Sequence, residues 1–233
     1  SRLQEVIATC REAYAAYDFR KVFQTLNQFV AVEISALYVD ITKDRMYCDA
    51  ADSPRRRATQ MVMHTVFDAL AKLLAPILVF TADEAWEFSG KTTSIHLEKL
   101  PEANAALREL SHHGFVEELL RLRGIIAQAV EAATQSKLIS KGLEAAVTLQ
   151  LSSEDGNKDF FDTVKNKTAE LEEIFILSDL TITLGSETKA TLVKTPHAKC
   201  ARCWRHRPSV GTIAAHPEPC DRCADVVAGQ ASA

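Results

Sequence analysis

Residues 18–41 read DFRKVFQTLNQFVAVEISALYVDI, a stretch of about seven helical turns without a glycine or proline. Its apolar side chains recur at intervals of three and four residues, the spacing that places them on one face of a helix. Asp18 can cap the start of this helix. The predicted inner face is Val22, Phe23, Leu26, Phe29, Val30, Ile34, Leu37, Tyr38 and Ile41. A helix this long predicts a mainly α fold, and we assign residues 1–104 to a bundle of helices.

A second helical stripe follows Pro54, a residue that suits the first turn of a helix. Its side chains are spaced as in the first stripe, and Pro76 is expected to end or kink the helix. The predicted buried residues are Met61, Val62, Val66, Ala69, Leu70, Leu73 and Leu74.

The hydrophobic period changes near residue 145. The segments AAVTLQL (145–151), TITL (181–184) and ATLV (190–193) alternate between apolar and polar residues, which predicts strands. A helical stripe precedes them at 119–133, and a short helix is expected near 160–167. We therefore predict a small α+β unit over residues 105–195, followed by a third domain at 196–233.

Composition excludes several classes of protein. The 233 residues carry a formal net charge of −4, which argues against a wholly basic nucleic-acid binder. The first residues, SRLQEVIATCREAY, are amphipathic and do not resemble a secretory signal. Their helical stripe predicts that the chain is part of a longer protein, and N-terminal processing is the alternative. The longest apolar run, 73–80, is far shorter than the roughly 20 residues of a membrane span. We expect a cytoplasmic monomer without membrane contact.

Four of the six cysteines form two C-x-x-C pairs, Cys200 with Cys203 and Cys220 with Cys223. Each pair can present two thiolates on one side of a turn, and two such turns close a tetrahedral shell of four sulfurs, which suits Zn²⁺. The segment from residue 196 has too few apolar residues for a core, so metal binding would supply its folding energy. We predict one structural Zn²⁺. The nearby histidines, at 197, 206 and 216, are expected to lie outside the shell.

The charge of the chain reverses around the first pair of cysteines. Residues 197–207 contain Lys199, Arg202, Arg205 and Arg207 and no acidic residue. Trp204 lies among them, and an indole beside cations can stack on an unpaired base while the cations neutralise phosphate. The alternative is that Trp204 packs against the back of its own module.

Much of the chain resembles a known family, the class I isoleucyl-tRNA synthetases. Residues 17–87 (YDFRKVFQTLNQFVAVEISALYVDITKDRMYCDAADSPRRRATQMVMHTVFDALAKLLAPILVFTADEAWE) are similar to the family's helical anticodon-binding domain. Residues 120–149, with their Lys-Leu-Ile and Leu-Glu-Ala run, resemble its junction unit. The Lys-Cys-x-Arg-Cys-Trp and Cys-x-Arg-Cys motifs resemble the C-terminal zinc-binding module of the bacterial enzyme.

The resemblance implies the C-terminal part of an ATP-dependent isoleucine–tRNA ligase, which binds the anticodon stem and loop of isoleucine tRNA. The His-x-Gly-His and Lys-Met-Ser-Lys-Ser motifs of class I enzymes are absent from the chain, as is the editing domain. We therefore expect these 233 residues to be non-catalytic alone and to partner the catalytic and editing domains of the same enzyme.

Candidate RNA contacts follow from the motifs and from basic residues at helix ends. Three of the candidates belong to the zinc module. Others lie at the start of a helix, where the helix N-terminus also favours phosphate. The predicted contacts are Arg202, Trp204, Arg205, Arg20, Lys21, Arg55, Arg56, Lys137 and Lys141. Alternatively, the arginines after Pro54 form a solvated face or pair with Asp49 and Asp52, and Lys137 and Lys141 only complement a helix dipole. Residues 43–45, with alternating charges, are expected to form a mixed surface.

Two other functions remain open from the residues alone. Formamidopyrimidine-type DNA glycosylases carry a similar four-cysteine zinc finger, but their N-terminal Pro-Glu and helix-two-turn-helix are not visible here. A zinc-ribbon module for protein interaction is the third possibility.

Overall fold

A computed structural model describes residues 2–107, 113–153 and 157–231. Residues 1, 108–112, 154–156 and 232–233, which fall within the three predicted domain ranges, lie outside the described residues. The chain divides into two compact units: unit 1 is Ser1–Asp40 with Ala51–Ser111, and unit 2 is Ile41–Ala50 with His112–Ala233. The division into three domains, with boundaries after residues 104 and 195, stays a prediction.

Unit 1 is built from helices. They are α1 (Arg2–Ala15), α2 (Phe19–Gln28), a π-helical segment (Phe29–Val39), the start of α3 (Asp40–Cys48), α4 (Pro54–Leu74) and α5 (Val79–Phe88). The Asp18 side chain accepts a hydrogen bond from the Lys21 N–H, which confirms the predicted cap of α2. Buried side chains of α1, α2, α4 and the π-helical segment form the core: Val6, Ile7, Cys10, Ala13, Val22, Leu26, Phe29, Ala69 and Leu73.

The predicted inner faces of the long helices are too wide. Phe23 is 60% exposed and Met61 is 68% exposed, so neither belongs to the core. Helix α2 buries Val22 and Leu26, and Phe29 follows three residues later on the same narrow stripe. Phe23 lies one residue, or about 100°, away from the centre of that stripe, and its side chain therefore faces outward.

Unit 2 contains a three-stranded sheet in the order β2–β1–β3. The strands are β1 (Ala145–Ser152), β2 (Asp179–Gly185) and β3 (Lys189–Lys194), which confirms the three predicted strands. Strand β1 pairs with β2 in parallel and with β3 antiparallel, and Leu149 lies opposite Ile182 on one side and Ala190 on the other. Alternate residues of β1, from Ala145 to Leu151, are buried.

Helices α6 (His113–Gln135), α7 (Asn157–Val164) and α8 (Thr168–Phe175) pack with this sheet. The sequence indicated only one helix between β1 and β2, whereas the structure has two. Their shared core includes Leu122, Ile126, Val147, Leu149, Leu151, Leu171, Phe175, Leu177 and Leu180.

The four-cysteine module follows β3 and contains little regular structure before helix α9 (Asp221–Ala231). An isolated antiparallel β-bridge joins Lys199 and His206. The chain is thus mostly helical, with a small sheet and a cysteine-bearing module, and the predicted fold class is confirmed. Within the part of the chain that the structure describes, no helix combines the length and hydrophobicity that crossing a membrane requires.

Candidate metal centre and nucleic-acid interface

The four predicted cysteines come together in unit 2. The Sγ atoms of Cys200, Cys203, Cys220 and Cys223 all lie within 4.8 Å of one another. Cys203 and Cys220 have a Sγ–Sγ distance of 3.8 Å, and a tetrahedral shell with Zn–S bonds of about 2.3 Å has sulfur–sulfur edges of about 3.8 Å. The spacing and the soft donor set therefore fit Zn²⁺.

Backbone hydrogen bonds shape the first turn of this centre. The N–H groups of Cys203 and Cys220 donate to Cys200 Sγ at 3.5 and 3.2 Å. The Trp204 N–H donates to the Cys200 carbonyl at 3.0 Å, and the Cys200 N–H donates to the Arg205 carbonyl at 2.9 Å. The C-x-x-C turn is thus closed by its own backbone, and two backbone N–H groups are aimed at Cys200 Sγ.

The thiols perturb one another's acidity. Hydrogen bonds from Cys203 and Cys48 lower the pKa of the Cys223 thiol. The same bond to Cys223, together with burial, raises the pKa of the Cys203 thiol, and burial raises the pKa of Cys220 to about 11. Further thiolates in this buried cluster cost free energy unless a cation balances them, so the cluster suits a divalent ion.

Cys48, a cysteine outside the two C-x-x-C pairs, packs against this centre. Its side chain is 4% exposed, and its Sγ donates to the Arg202 carbonyl at 3.7 Å. In return, the Arg202 guanidinium donates to the carbonyls of Cys48 and Tyr47. The end of helix α3 therefore holds the first cysteine turn by a reciprocal set of bonds that no local sequence signal indicated.

Ion pairs fasten the same helix to the rest of unit 2. The Arg222 guanidinium donates to both oxygens of Asp44 at 2.6 and 2.7 Å, and the Arg45 guanidinium donates to Glu173 at 2.5 and 3.0 Å. Burial acts to raise the pKa of Asp44, but the hydrogen bond and charge of Arg222 outweigh it, so the pKa lies below its usual value. Of the mixed surface predicted at residues 43–45, Lys43 is exposed, whereas Asp44 and Arg45 are half-buried and ion-paired within unit 2.

Trp204 projects from the cysteine turn. Its indole is 59% exposed, so it does not pack against the back of the module. Its φ angle is +65°, a left-handed backbone that a bulky side chain rarely adopts. The Lys199 ammonium lies 5.3 Å from the ring centroid. Strained backbone of this kind is typical of positions that contact ligands.

Arg205 differs from its neighbours. It is only 7% exposed, and its guanidinium donates to the Leu177 carbonyl at 3.2 Å while lying 3.7 Å from Glu172 and 4.0 Å from Asp44. A guanidinium enclosed in this way has no face to offer a phosphate, which argues against the predicted RNA contact at this residue.

The other predicted contacts lie in both units. In unit 1, Arg20, Lys21 and Arg55 are exposed and Arg56 is half-buried. In unit 2, Lys137 and Lys141 are exposed and Lys137 has a φ of +62°, whereas Arg202 is half-buried. The structure therefore brings Lys199, Arg202 and Trp204 together at one turn and places the remaining cations on other elements.

Comparison with known proteins gives two family matches. Residues 1–149 match the anticodon-binding domain of tRNA ligase, and residues 199–226 match a zinc finger found in FPG and IleRS. The second match covers the four-cysteine centre.

Curated relatives cover nearly all of the chain. An isoleucine–tRNA ligase of Methylacidiphilum infernorum is 37% identical over 230 residues, which is 97% of this chain and 24% of that protein. Similar ligases of Brachyspira hyodysenteriae and Symbiobacterium thermophilum are 38% and 36% identical, over 97% of this chain and 25% and 26% of their own lengths. The chain thus spans about a quarter of the length of these relatives.

Proposed function

Because the chain belongs to the family of anticodon-binding domains of tRNA ligases, we propose that it recognises the anticodon stem and loop of isoleucine tRNA within an isoleucine–tRNA ligase. The observation that carries this proposal is Trp204, an exposed indole held in a left-handed backbone at a turn of clustered thiols. An exposed ring on a fixed backbone loses little conformational freedom when a base stacks on it.

Base contacts and phosphate contacts have separate roles in the proposed complex. Trp204 stacks on an unpaired base of the anticodon loop, and Lys199 beside it neutralises phosphate. Phosphate contacts position the stem without reading its sequence. The cations proposed for that task are the exposed Arg20, Lys21, Arg55, Lys137 and Lys141 and the half-buried Arg56. Arg202 acts through the cysteine turn, because its guanidinium bonds the carbonyls of helix α3.

One structural Zn²⁺, held by Cys200, Cys203, Cys220 and Cys223, is part of the proposal. Four thiolates complete a tetrahedral shell and leave no open position of the kind that a catalytic zinc needs. The ion would fix the turn that carries Trp204. Besides the ion, the same turn is held by the backbone N–H groups that donate to Cys200 Sγ and by Cys48, whose thiol donates to the Arg202 carbonyl.

Chemistry on the amino acid is assigned to the rest of the ligase. The 233 residues contain neither His-x-Gly-His nor Lys-Met-Ser-Lys-Ser, so we propose that ATP-dependent activation and editing take place on other domains of the same enzyme. A cytoplasmic, monomeric protein fits this role, and a reducing compartment would keep the clustered cysteines available for metal.

The test compares three ligands across a salt series: isoleucine tRNA, the same tRNA with a changed anticodon, and duplex DNA. We expect the zinc-loaded chain to prefer the first, and Trp204→Ala to weaken that binding while Trp204→Phe retains most of it. Equal binding to both tRNAs would overturn the proposal. Preference for DNA would support a repair-type zinc finger instead, and the absence of any binding would support a protein-interaction module.

A further inference from the structure

The outward face of helix α2 in unit 1 is an exposed surface whose composition has no structural explanation. Phe19 and Phe23 are 51% and 60% exposed, although both are large apolar side chains. Arg20 and Lys21, which lie between the two phenylalanines in the sequence, are also exposed. The helix from Phe19 to Gln28 contains no acidic residue, and three exposed amides complete the face: Gln24, Asn27 and Gln28.

These side chains form one continuous surface. Residues three and four apart lie side by side on a helix, so Phe23 adjoins Phe19 and Arg20 on one side and Asn27 on the other. The opposite stripe of the helix, Val22 and Leu26, is buried in the core of unit 1. Helix α2 is therefore anchored from behind and presents a stable outer face.

The aromatic part of this face is ordered by its neighbours. The Phe19 ring makes edge-to-face contacts with Tyr14 at 6.0 Å and with Tyr17 at 6.5 Å between centroids. Tyr17 is exposed and has a φ of +56°, a second aromatic residue in the left-handed region. Tyr14 is fixed in turn by a hydrogen bond from its hydroxyl to the Leu73 carbonyl at 2.6 Å.

The chemistry of this face selects among occupants. An apolar partner would bury Arg20 and Lys21 and would supply no counter-charges to them, and burying unpaired charges costs free energy. A polyanion with flat, stackable groups satisfies both the cations and the rings, and amides can hydrogen-bond to ribose hydroxyls and base edges. Charge complementarity therefore favours nucleic acid.

We infer that the outward face of helix α2 is an RNA-docking surface, in which Phe23 contacts a base or ribose and Arg20 and Lys21 bind phosphates. The inference deepens the proposed function and rests on it, because it assigns part of the same tRNA to unit 1. It adds Phe19, Phe23 and the three amides to the contacts that the sequence indicated.

The experiment measures the affinity of the full zinc-loaded chain for isoleucine tRNA across a salt series. For Phe23→Ala we expect roughly five- to 150-fold weaker binding with an unchanged salt dependence, as for the loss of one stacking contact. For the double variant Arg20→Ala, Lys21→Ala we expect weaker binding and a log–log salt slope reduced by about 1.5, since two phosphate contacts are lost.

Matched controls come from the same unit. Phe88 is 86% exposed on helix α5, and Lys99 is an exposed cation. Phe88→Ala and Lys99→Ala should bind like the parent chain. Thermal melting of every variant confirms that the exposed substitutions leave unit 1 folded.

The outcomes separate this inference from the proposed function. If Trp204→Ala weakens anticodon-dependent binding but Phe23→Ala does not, the α2 surface is wrong and the proposed function stands. Loss of binding only in the Arg20 and Lys21 variant also overturns the inference, because the surface would then be a phosphate patch alone. If the parent chain shows no anticodon preference, the proposed function itself fails.

Discussion

Arg205 lies in a run of cations that the sequence predicts to contact RNA, yet its guanidinium is buried and binds groups inside unit 2. Arg205 donates to the Leu177 carbonyl and lies near Glu172, whose side chain is only 8% exposed. Arg207 donates to the same carboxylate at 2.6 Å. The buried Arg205 and the half-buried Arg207 thus share one buried carboxylate in unit 2, and their burial shows this role where sequence spacing does not.

Replacing Arg205 with methionine should lower the free energy of unfolding by about 3 kcal/mol, because the Leu177 carbonyl loses its donor and buried acids lose a counter-charge. Urea unfolding of the zinc-loaded chain measures this. Arg57→Met, at an exposed arginine, should change stability by no more than about 0.5 kcal/mol. Equal effects of the two variants would contradict the structural role of Arg205.

Asp83 should make unit 1 sensitive to acid. Its carboxylate accepts hydrogen bonds from the Ser94 hydroxyl at 2.8 Å and the Ile95 N–H at 2.9 Å, which hold its pKa below the usual value. Because the pKa of Asp83 is lower in the folded state than in the unfolded state, the carboxylate's contribution to stability is fully present above about pH 4. It is lost as the pH falls through the folded-state pKa. Asp83→Asn should therefore be less stable near neutral pH and lose less stability on acidification.

Fluorescence of the buried Trp86 in a Trp204→Phe background reports this unfolding. Asp52→Asn, at an exposed carboxylate, is the control and should keep the parent's acid response. An unchanged acid response in Asp83→Asn would show that the two hydrogen bonds do not contribute to stability.

At the scale of elements, the end of helix α3 is the support on which the cysteine module depends. Asp44 binds Arg222 at the start of helix α9, and Cys48 packs against the sulfur cluster. A module with a small core gains stability from such contacts as well as from metal.

A double-mutant cycle on Asp44→Ala and Arg222→Ala should give a coupling of about 1–3 kcal/mol, because the pair is partly buried and bidentate. The reference is the exposed pair Asp162 and Lys165 in unit 2, at 2.7 Å, whose coupling should stay below about 1 kcal/mol. Urea unfolding supplies all the values. If both pairs couple equally weakly, α3 does not stabilise the module through this ion pair.

The parts of the fold that depend on local sequence were predictable. Strand alternation indicated β1, β2 and β3, the Asp18 cap is local, and the two C-x-x-C pairs indicated the metal centre. What escaped prediction depends on contacts between distant residues: Asp44 and Arg222 are 178 residues apart, and Arg205 is buried by groups from other elements. The exposure of Phe23 escaped because a three–four spacing fixes a face but not its width.

At the scale of the whole molecule, metal should stabilise one part of the chain selectively. We expect chelation of zinc-loaded protein to expose residues 199–207 to trypsin and to release Trp204 from its fixed backbone, while the helical core of unit 1 persists. Limited proteolysis measures the exposure of residues 199–207, and far-ultraviolet circular dichroism measures the persistence of the helices. Proteolysis that does not change on chelation would contradict a folding role for the ion.

Cysteine variants separate ligand loss from general destabilisation. Cys203→Ser should lose stoichiometric zinc, whereas Cys10→Ser, at a buried cysteine outside the cluster, should retain it. Elemental analysis of reduced protein gives the metal content of each variant. Equal zinc content in the two would exclude the four-sulfur centre.

The segment Ile41–Ala50 belongs to unit 2, although unit 1 resumes immediately after it. A ribosome therefore delivers Asp44 long before its partner Arg222, about 10 to 35 seconds earlier at ordinary rates of synthesis. During that interval the Asp44 carboxylate and the Cys48 thiol are present in the nascent chain, but Arg222 and the clustered cysteines that they contact have not yet been synthesised. The four-sulfur cluster cannot close before Cys220 and Cys223 have been synthesised. A nascent chain arrested before Cys220 should therefore leave the end of α3 open to solvent.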